Sequence, residues 1–173
     1  MKYKIYLIAL VFIGSLCLSC ESDDISYQNS FENSLEALDT FKIETNNSYT
    51  YTVQNGSWVG WSNETTITVI NGEVTQRHFK YFIPEGLDVN LSEEELEWIE
   101  NGVEVGSHTS GAQALTLDAI YNKAENEWLV KRKNAKTYFE TENKGLISVC
   151  GYTPDNCTDD CFNGIRIIHI EGI

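Results

Sequence analysis

The chain has few positive charges and no long apolar run, and each of these absences excludes a class of protein. Its 173 residues carry 12 Lys and Arg against 26 Asp and Glu, a formal net charge of −14. Affinity for nucleic acid comes largely from cations that neutralise phosphates, so we expect no nucleic-acid partner. The longest apolar run, Ile5 to Leu18, is shorter than the roughly 20 residues that a membrane-spanning helix needs, so we expect no transmembrane helix.

Motifs of catalysis are also missing. The sequence contains no Gly-x-Ser-x-Gly, no His-Glu-x-x-His and no phosphate-binding loop. Its three histidines, His78, His108 and His169, are far apart, and only His108 has serines close by, at Ser107 and Ser110. We therefore expect a domain that binds rather than catalyses. A secreted hydrolase with a histidine and carboxylate site is the alternative.

The N-terminus has the pattern of a secretory signal peptide, because Lys2 and Lys4 precede the apolar run. The run ends at Ser19-Cys20. This arrangement resembles bacterial lipoproteins, in which a small residue precedes a cysteine that is acylated and becomes the mature N-terminus. The resemblance implies a signal peptide over residues 1–19 and a lipid on Cys20. An ordinary secretory signal followed by a chance cysteine is the alternative.

Cleavage at this point makes the mature chain more acidic. Removal of Lys2 and Lys4 leaves 12 − 2 = 10 basic residues against 26 acidic ones, a net charge of −16. Glu21-Ser22-Asp23-Asp24 then follows the cysteine and is similar to the acidic segment that directs Bacteroidetes-type lipoproteins to the outer face of the outer membrane. The resemblance implies display at the cell surface, attached to the membrane by the lipid anchor. If these residues only keep a tether solvated, the protein faces the periplasm.

The remaining length suits a single domain, which we place at residues 31–173 after a polar tether at residues 20–30. The first element is predicted to be a helix, because apolar residues recur at helical spacing at Phe31, Leu35, Leu38 and Phe41. Asn46-Asn47-Ser48 ends it, and alternation at Tyr49, Tyr51 and Val53 then predicts a strand.

A hairpin is predicted next, since Asn71-Gly72 supplies the positive φ angles of a two-residue turn between strands at residues 65–70 and 73–82. We interpret residues 83–112 as an insertion. Within it, Ser92 and Glu95 form a capping box that opens a short helix through Trp98 and Ile99, which Gly102 ends.

The second half of the domain repeats the order of the first. A helix starts at Thr116 or Asp118, and one of its faces carries Leu117, Ile120, Tyr121 and Ala124. Strands follow at residues 138–141, 146–152 and 165–170. We therefore predict an α+β fold with one antiparallel sheet of about six strands, helices packed on one face, and a duplicated α-β-β-β arrangement.

Three short signatures resemble a family of small secreted bacterial domains whose function is uncharacterised. They are Ser48-Tyr49-Thr50-Tyr51 with the later Asn71-Gly72-Glu73-Val74, then Leu115-Thr116-Leu117-Asp118-Ala119-Ile120-Tyr121, and finally Tyr138-Phe139-Glu140 with Gly145-Leu146-Ile147. The resemblance implies the fold and secretion. It implies no activity and therefore assigns no catalytic residue.

Three cysteines lie close together near the C-terminus, at Cys150, Cys157 and Cys161. Because an exported chain meets oxidising conditions, we predict a disulfide between two of them. The sequence leaves the pairing open, and a bridge from Cys150 to either of the others would close a short loop onto the end of a strand.

The same segment is rich in hard oxygen ligands. Asp155, Asp159 and Asp160, with the amides of Asn156 and Asn163, are the ligand types that calcium prefers. Calcium is thus the one cofactor that the sequence suggests. The alternative is that these residues only form a solvated turn, which Asp and Asn favour through local hydrogen bonds.

Two tryptophans are the best candidates for ligand binding. Trp58 and Trp61 flank Val59-Gly60 in a loop, and large aromatic rings in such a loop are suited to stacking on a sugar or a peptide. Packing in the core is the alternative. A further hypothesis is that the sheet face opposite the helices docks a protein partner.

Overall fold

The computed structural model describes residues 25–57, 60–86, 91–158 and 161–173. In chain order its main elements are helix α1 (Gln28–Glu44), strands β1 (Tyr49–Gly56), β2 (Ser62–Ile70) and β3 (Glu73–Phe82), the helical turn α2 (Glu93–Leu96), strand β4 (Glu97–Asn101), helix α3 (Leu117–Lys123), and strands β5 (Ala135–Glu140), β6 (Val149–Pro154) and β7 (Asn163–Gly172). None of the helices in these ranges is both long enough and apolar enough to cross a membrane.

The strands form one sheet in the order β4-β3-β2-β1-β7-β6-β5, and all neighbouring strands are antiparallel. The predicted α+β class with an antiparallel sheet is confirmed. The sheet has seven strands rather than the six predicted, because β4 adds to the edge beside β3. The first and last sets of three strands each follow a helix, and they join where β1 pairs with β7.

The prediction of a helix through Trp98 was wrong. The capping box that opens α2 is confirmed, since the Ser92 backbone N–H donates to Glu95 Oε2 over 2.9 Å. However, α2 ends at Leu96 and the chain continues as β4. Alternation explains the change, because Trp98 and Glu100 are buried while their neighbours along β4 are exposed. This period of two belongs to a strand.

The predicted hairpin between β2 and β3 is confirmed. Asn71 and Gly72 connect the strands with φ angles of 51° and 83°, both in the left-handed region that a type I′ turn needs. The Gly72 N–H also donates to the Asn47 carbonyl over 2.8 Å. This bond ties the hairpin turn to the turn that follows α1.

The folded part begins earlier in the chain than residue 31. Ile25 is buried and forms an isolated bridge with Val130, and the Ser26 N–H donates to the Leu129 carbonyl over 2.7 Å. Ile25 and Ser26 thus contact the domain, although the prediction placed them in the tether of residues 20–30. Cys20 itself lies outside the described residues.

The core contains residues from the helices and from the central strands. On β1, Tyr49, Tyr51 and Val53 are buried and alternate with partly exposed residues, as predicted. The predicted apolar face is also confirmed, since its members on α3 and in the turn that directly follows it are all buried: Leu117, Ile120, Tyr121 and Ala124. On α1, Phe31 and Leu38 are buried, whereas Leu35 remains 39% exposed.

Candidate functional site

A buried ion pair joins β3 and β4, the two outermost strands at one edge of the sheet. Arg77 of β3 stands opposite Glu100 of β4 in the register. The Arg77 Nε donates to Glu100 Oε2 over 2.8 Å, and its Nη2 donates to Oε1 over 2.7 Å. The two side chains are only 4% and 1% exposed. Charges this deeply buried persist only where they are paired and hydrogen-bonded.

The same two side chains form hydrogen bonds with the segment of residues 102–112. Glu100 accepts hydrogen bonds from the Gly106 and His108 backbone N–H groups, both at 2.6 Å, and from the Ser107 hydroxyl at 3.0 Å. Arg77 donates to the His108 carbonyl at 2.7 Å and to the Ala112 carbonyl at 3.1 Å. The ion pair thus fixes a long segment over the edge of the sheet.

These contacts set the charge state of Glu100. Burial by itself raises the pKa of this carboxyl, but hydrogen bonds from Arg77, His108 and Gly106 favour the ionised form more strongly and bring the pKa well below its ordinary value. Glu100 is therefore a carboxylate throughout the physiological pH range, matched by the permanent charge of Arg77.

His108 completes this cluster. Its Nδ1 lies 2.9 Å from Glu100 Oε1, and its ring stacks on Trp98 with centroids 4.2 Å apart and planes inclined by 3°. The side chain is 45% exposed. A carboxylate that orients an imidazole is the supporting half of a catalytic triad. The nearby hydroxyls have other partners, since Ser107 donates to Glu100 and Ser110 accepts from the Trp98 indole N–H.

The other two histidines lie on the surface. His78 Nε2 is 2.7 Å from Glu97 Oε1, and His169 Nε2 is 3.2 Å from Glu171 Oε2. The side chains of both pairs are at least one third exposed. Of the described histidines, His108 alone meets a buried carboxylate.

Trp61 stands at one end of a row of aromatic rings. Its ring centroid is 5.5 Å from that of Tyr81, and the row continues through Phe79 and Trp98 to His108 with neighbouring centroids 4.2 to 5.2 Å apart. Trp61 is only half-buried, so its ring is accessible at the end of the row. Trp58, the other predicted binding residue, lies outside the described residues.

The predicted disulfide is present and joins Cys157 to Cys161. Cys150 is not part of it and remains a buried thiol. The reason is its position on β6, where it stands between Phe139 and Ile165 of the neighbouring strands and faces the core. Burial raises the pKa of the Cys150 thiol to about 12.

The predicted calcium ligands are described only in part. Asp155 is exposed and its backbone N–H donates to the Asn134 carbonyl at 3.0 Å, while Asp159 and Asp160 lie outside the described residues. Over residues 25–57, 60–86, 91–158 and 161–173, no group of three or more His, Cys, Asp or Glu side chains is arranged to hold a metal. Calcium binding at this loop stays a prediction.

Sequence analysis missed Arg77 and Glu100. One signal was available, because Arg77 falls on the same side of the predicted hairpin strand as Phe79 and thus on the side that faces the core. Glu100 gave no such signal. The sequence predicts a helix at this position, and a glutamate on the exposed side of a helix is not unusual. Only the strand pairing of β3 with β4 brings the two together.

Comparison of the chain with protein-family models, with curated proteins and with solved structures found no match in any of the three.

Proposed function

We propose that this chain is a lipid-anchored lipoprotein of the outer membrane, displayed at the cell surface, whose domain binds a ligand and does not catalyse a reaction. Support for the anchor comes from the order of Lys2, Lys4, the apolar run and Ser19-Cys20. Support for surface display comes from the acidic residues that follow Cys20. The uncharacterised secreted-domain family that the three signatures resemble fits the same location.

We also infer that α1 and α3 cover one face of the sheet and leave the other face free to dock a partner. Phe41 of α1 contacts Tyr49, with ring centroids 5.7 Å apart, and the Leu117 N–H at the start of α3 donates to the Tyr49 hydroxyl over 2.9 Å. The opposite face of β1 and β2 carries partly exposed threonines, of which Thr52 and Thr66 are hydrogen-bonded to each other at 2.9 Å.

The observation that carries the binding proposal is the set of hydrogen bonds that Glu100 makes. A catalytic carboxylate and histidine need a nucleophile or a substrate cavity beside them. Here Glu100 is bound by Arg77 and by the backbone of the covering segment, and the hydroxyls of Ser107 and Ser110 are bonded within the same cluster. The cluster therefore has the contacts of a structural support.

A hydrolase is the second candidate, and the Glu100–His108 contact of 2.9 Å is the observation that favours it. To separate the two, the full chain and its His108→Ala variant are assayed on fluorogenic esters, amides and glycosides. His169→Ala serves as the matched control, because His169 also pairs with a glutamate but on the surface. The binding proposal predicts equal background rates for all three proteins. Turnover that is lost only in His108→Ala would establish a hydrolase.

A further inference from the structure

A cavity of about 340 Å³ lies between the end of β1, the start of β7 and the segment that precedes α3. This size is within the range of small-ligand pockets. We propose that it binds a saccharide, through the amide side chains of Asn55, Gln113 and Asn163, with Lys123 favouring a sugar that carries a carboxylate. The proposal rests on the binding function proposed above and names its ligand class.

The polar wall of this cavity suits hydroxyl groups. Asn55, Gln113 and Asn163 all line it, and an amide presents a donor beside an acceptor. A sugar hydroxyl also donates and accepts, so neighbouring hydroxyls match such a side chain. Asn55 and Gln113 are exposed and make no side-chain hydrogen bond within the described part of the protein. Asn163 donates through Nδ2 to the Cys161 carbonyl at 2.9 Å.

The apolar part of the wall comes from Trp128, Val53 and Ile165. Trp128 ends a π-helical turn, Ala124–Trp128, that continues α3, and the Leu129 N–H donates to the Ala124 carbonyl at 2.9 Å. Such turns are rare and are often found at functional sites. These three side chains are largely buried, with 9% of Trp128, 3% of Val53 and 9% of Ile165 exposed, and this remaining apolar surface is what the C–H groups of a sugar would pack against.

The backbone on both sides of Gln113 is held by hydrogen bonds. Just before it, the Ala112 N–H donates to the Thr65 hydroxyl at 3.0 Å and the Ala112 carbonyl accepts from Arg77. Just after it, the Leu115 carbonyl accepts from the Tyr51 hydroxyl at 2.6 Å. Because the backbone on both sides of Gln113 is already fixed, only its side chain has to be ordered when a ligand binds, which limits the entropic cost. The buried ion pair thus supports one wall of the cavity.

The charge of the cavity differs from that of the protein as a whole. Among the described residues its lining includes Lys123 and no carboxylate, although the chain has 26 acidic residues. A larger groove of about 520 Å³ beside α1 has Glu44 and Glu171 in its lining together with Lys144. The Lys123 Nζ is 3.7 Å from Glu127 Oε2 and 5.8 Å from the centre of the Trp128 ring. Because an ion pair between exposed side chains one helical turn apart is weak, a carboxylate on the ligand can compete with Glu127 for Lys123.

The experiment is calorimetric titration of the full chain in mild detergent with oligogalacturonate and with the matching neutral galactose oligomer. We expect both to bind, oligogalacturonate more tightly, and we expect Asn55→Ala with Gln113→Ala to weaken both by about tenfold or more, the loss of two or more ligand hydrogen bonds. Lys123→Met should remove the preference for the uronate. Asn29→Ala with Asn33→Ala is the control, since both asparagines are exposed on α1 and neither lines this cavity.

Three results would overturn the proposal. Binding that the Asn55 and Gln113 variant leaves unchanged would place the saccharide site elsewhere, and equal affinity for both oligomers would remove the role of Lys123. Absence of binding to either oligomer would reject the saccharide. In that last case the broader binding function still stands if the protein shows no turnover in the His108 assay, so the two failures are distinguishable.

Discussion

Arg77 and Glu100 form two hydrogen bonds of 2.8 and 2.7 Å across β3 and β4, with both side chains almost completely buried. Through its remaining contacts the pair fixes the segment that covers this edge of the sheet. The pair therefore links three features of the protein, which are the edge strand β4, the orientation of His108 and the wall of the proposed saccharide cavity.

Loss of either partner of the Arg77–Glu100 pair should destabilise the folded protein. Glu100→Gln leaves the Arg77 guanidinium buried without its counter-charge, and the loss of one partner from a buried pair costs roughly 3–5 kcal/mol. We expect urea denaturation to show a loss in the free energy of unfolding of that size. Glu97→Gln is the control, because Glu97 pairs with His78 and Lys80 in solvent, and its midpoint should not move. Similar midpoints for both variants would contradict a stabilising role for Glu100.

Glu100 should also make the protein sensitive to acid. Its pKa is lower in the folded chain than the ordinary 4.5, so its contribution to stability is complete above about pH 4.5 and is lost as the pH falls through the folded pKa. We expect the free energy of unfolding to drop between about pH 5 and pH 2 more steeply in the wild type than in Glu100→Gln. Parallel curves for the two proteins would show that another group controls acid unfolding.

Patterns along the chain predicted those elements that local chemistry determines. The Asn71-Gly72 turn and the Ser92–Glu95 capping box depend on neighbouring residues, and both are present as expected. Strand β4 was missed because helical and extended patterns are similar over a few residues. Its alternation has a clear meaning only once β3 lies alongside it.

The candidate site was less predictable than the fold, and for the same reason. His108 was singled out for the serines beside it, yet its main partner is Glu100, which belongs to a strand that the sequence did not predict. Likewise, Asn55, Gln113 and Asn163 come from three separate parts of the chain. Nothing in their local spacing predicts that they line one cavity.

Alkaline pH should unfold the protein through its buried tyrosines. Burial raises the pKa of Tyr49 to about 12, despite the hydrogen bond from Leu117. Because the folded pKa is above the unfolded value of about 10, the stabilising effect is complete below pH 10 and is lost between pH 10 and about 12. We expect phenolate absorbance and circular dichroism to change together in this range. Tyr49→Phe should reduce the slope of stability against pH, and an unchanged slope would contradict this assignment.

The cysteines should react differently from one another. In the folded, unreduced protein, iodoacetamide at about pH 8 should label none of the three C-terminal cysteines, because Cys150 is buried with a raised pKa and the other two are bonded. After denaturation without reduction, mass spectrometry of the peptides should find the label on Cys150 alone. Label on Cys157 or Cys161 at that stage would contradict the pairing.

The disulfide itself should contribute modestly to stability. Cys157 and Cys161 are separated by only four positions, and closing so short a loop restricts the unfolded chain by about 2 kcal/mol in the chain-entropy model. We therefore expect the double variant Cys157→Ser with Cys161→Ser to fold, with a lower midpoint in urea. Complete loss of folding would show that the bridge has a larger role than loop closure.

The lipid anchor and surface display are tested most directly on Cys20 in the native envelope. The intact mass of the protein and its accessibility to protease on whole cells are compared between the wild type and Cys20→Ala. We predict that the wild type lacks residues 1–19, carries acyl chains and is shed from intact cells by protease, and that Cys20→Ala carries no lipid. A wild type without lipid would contradict the anchor, and a lipidated protein protected from protease would contradict display at the surface.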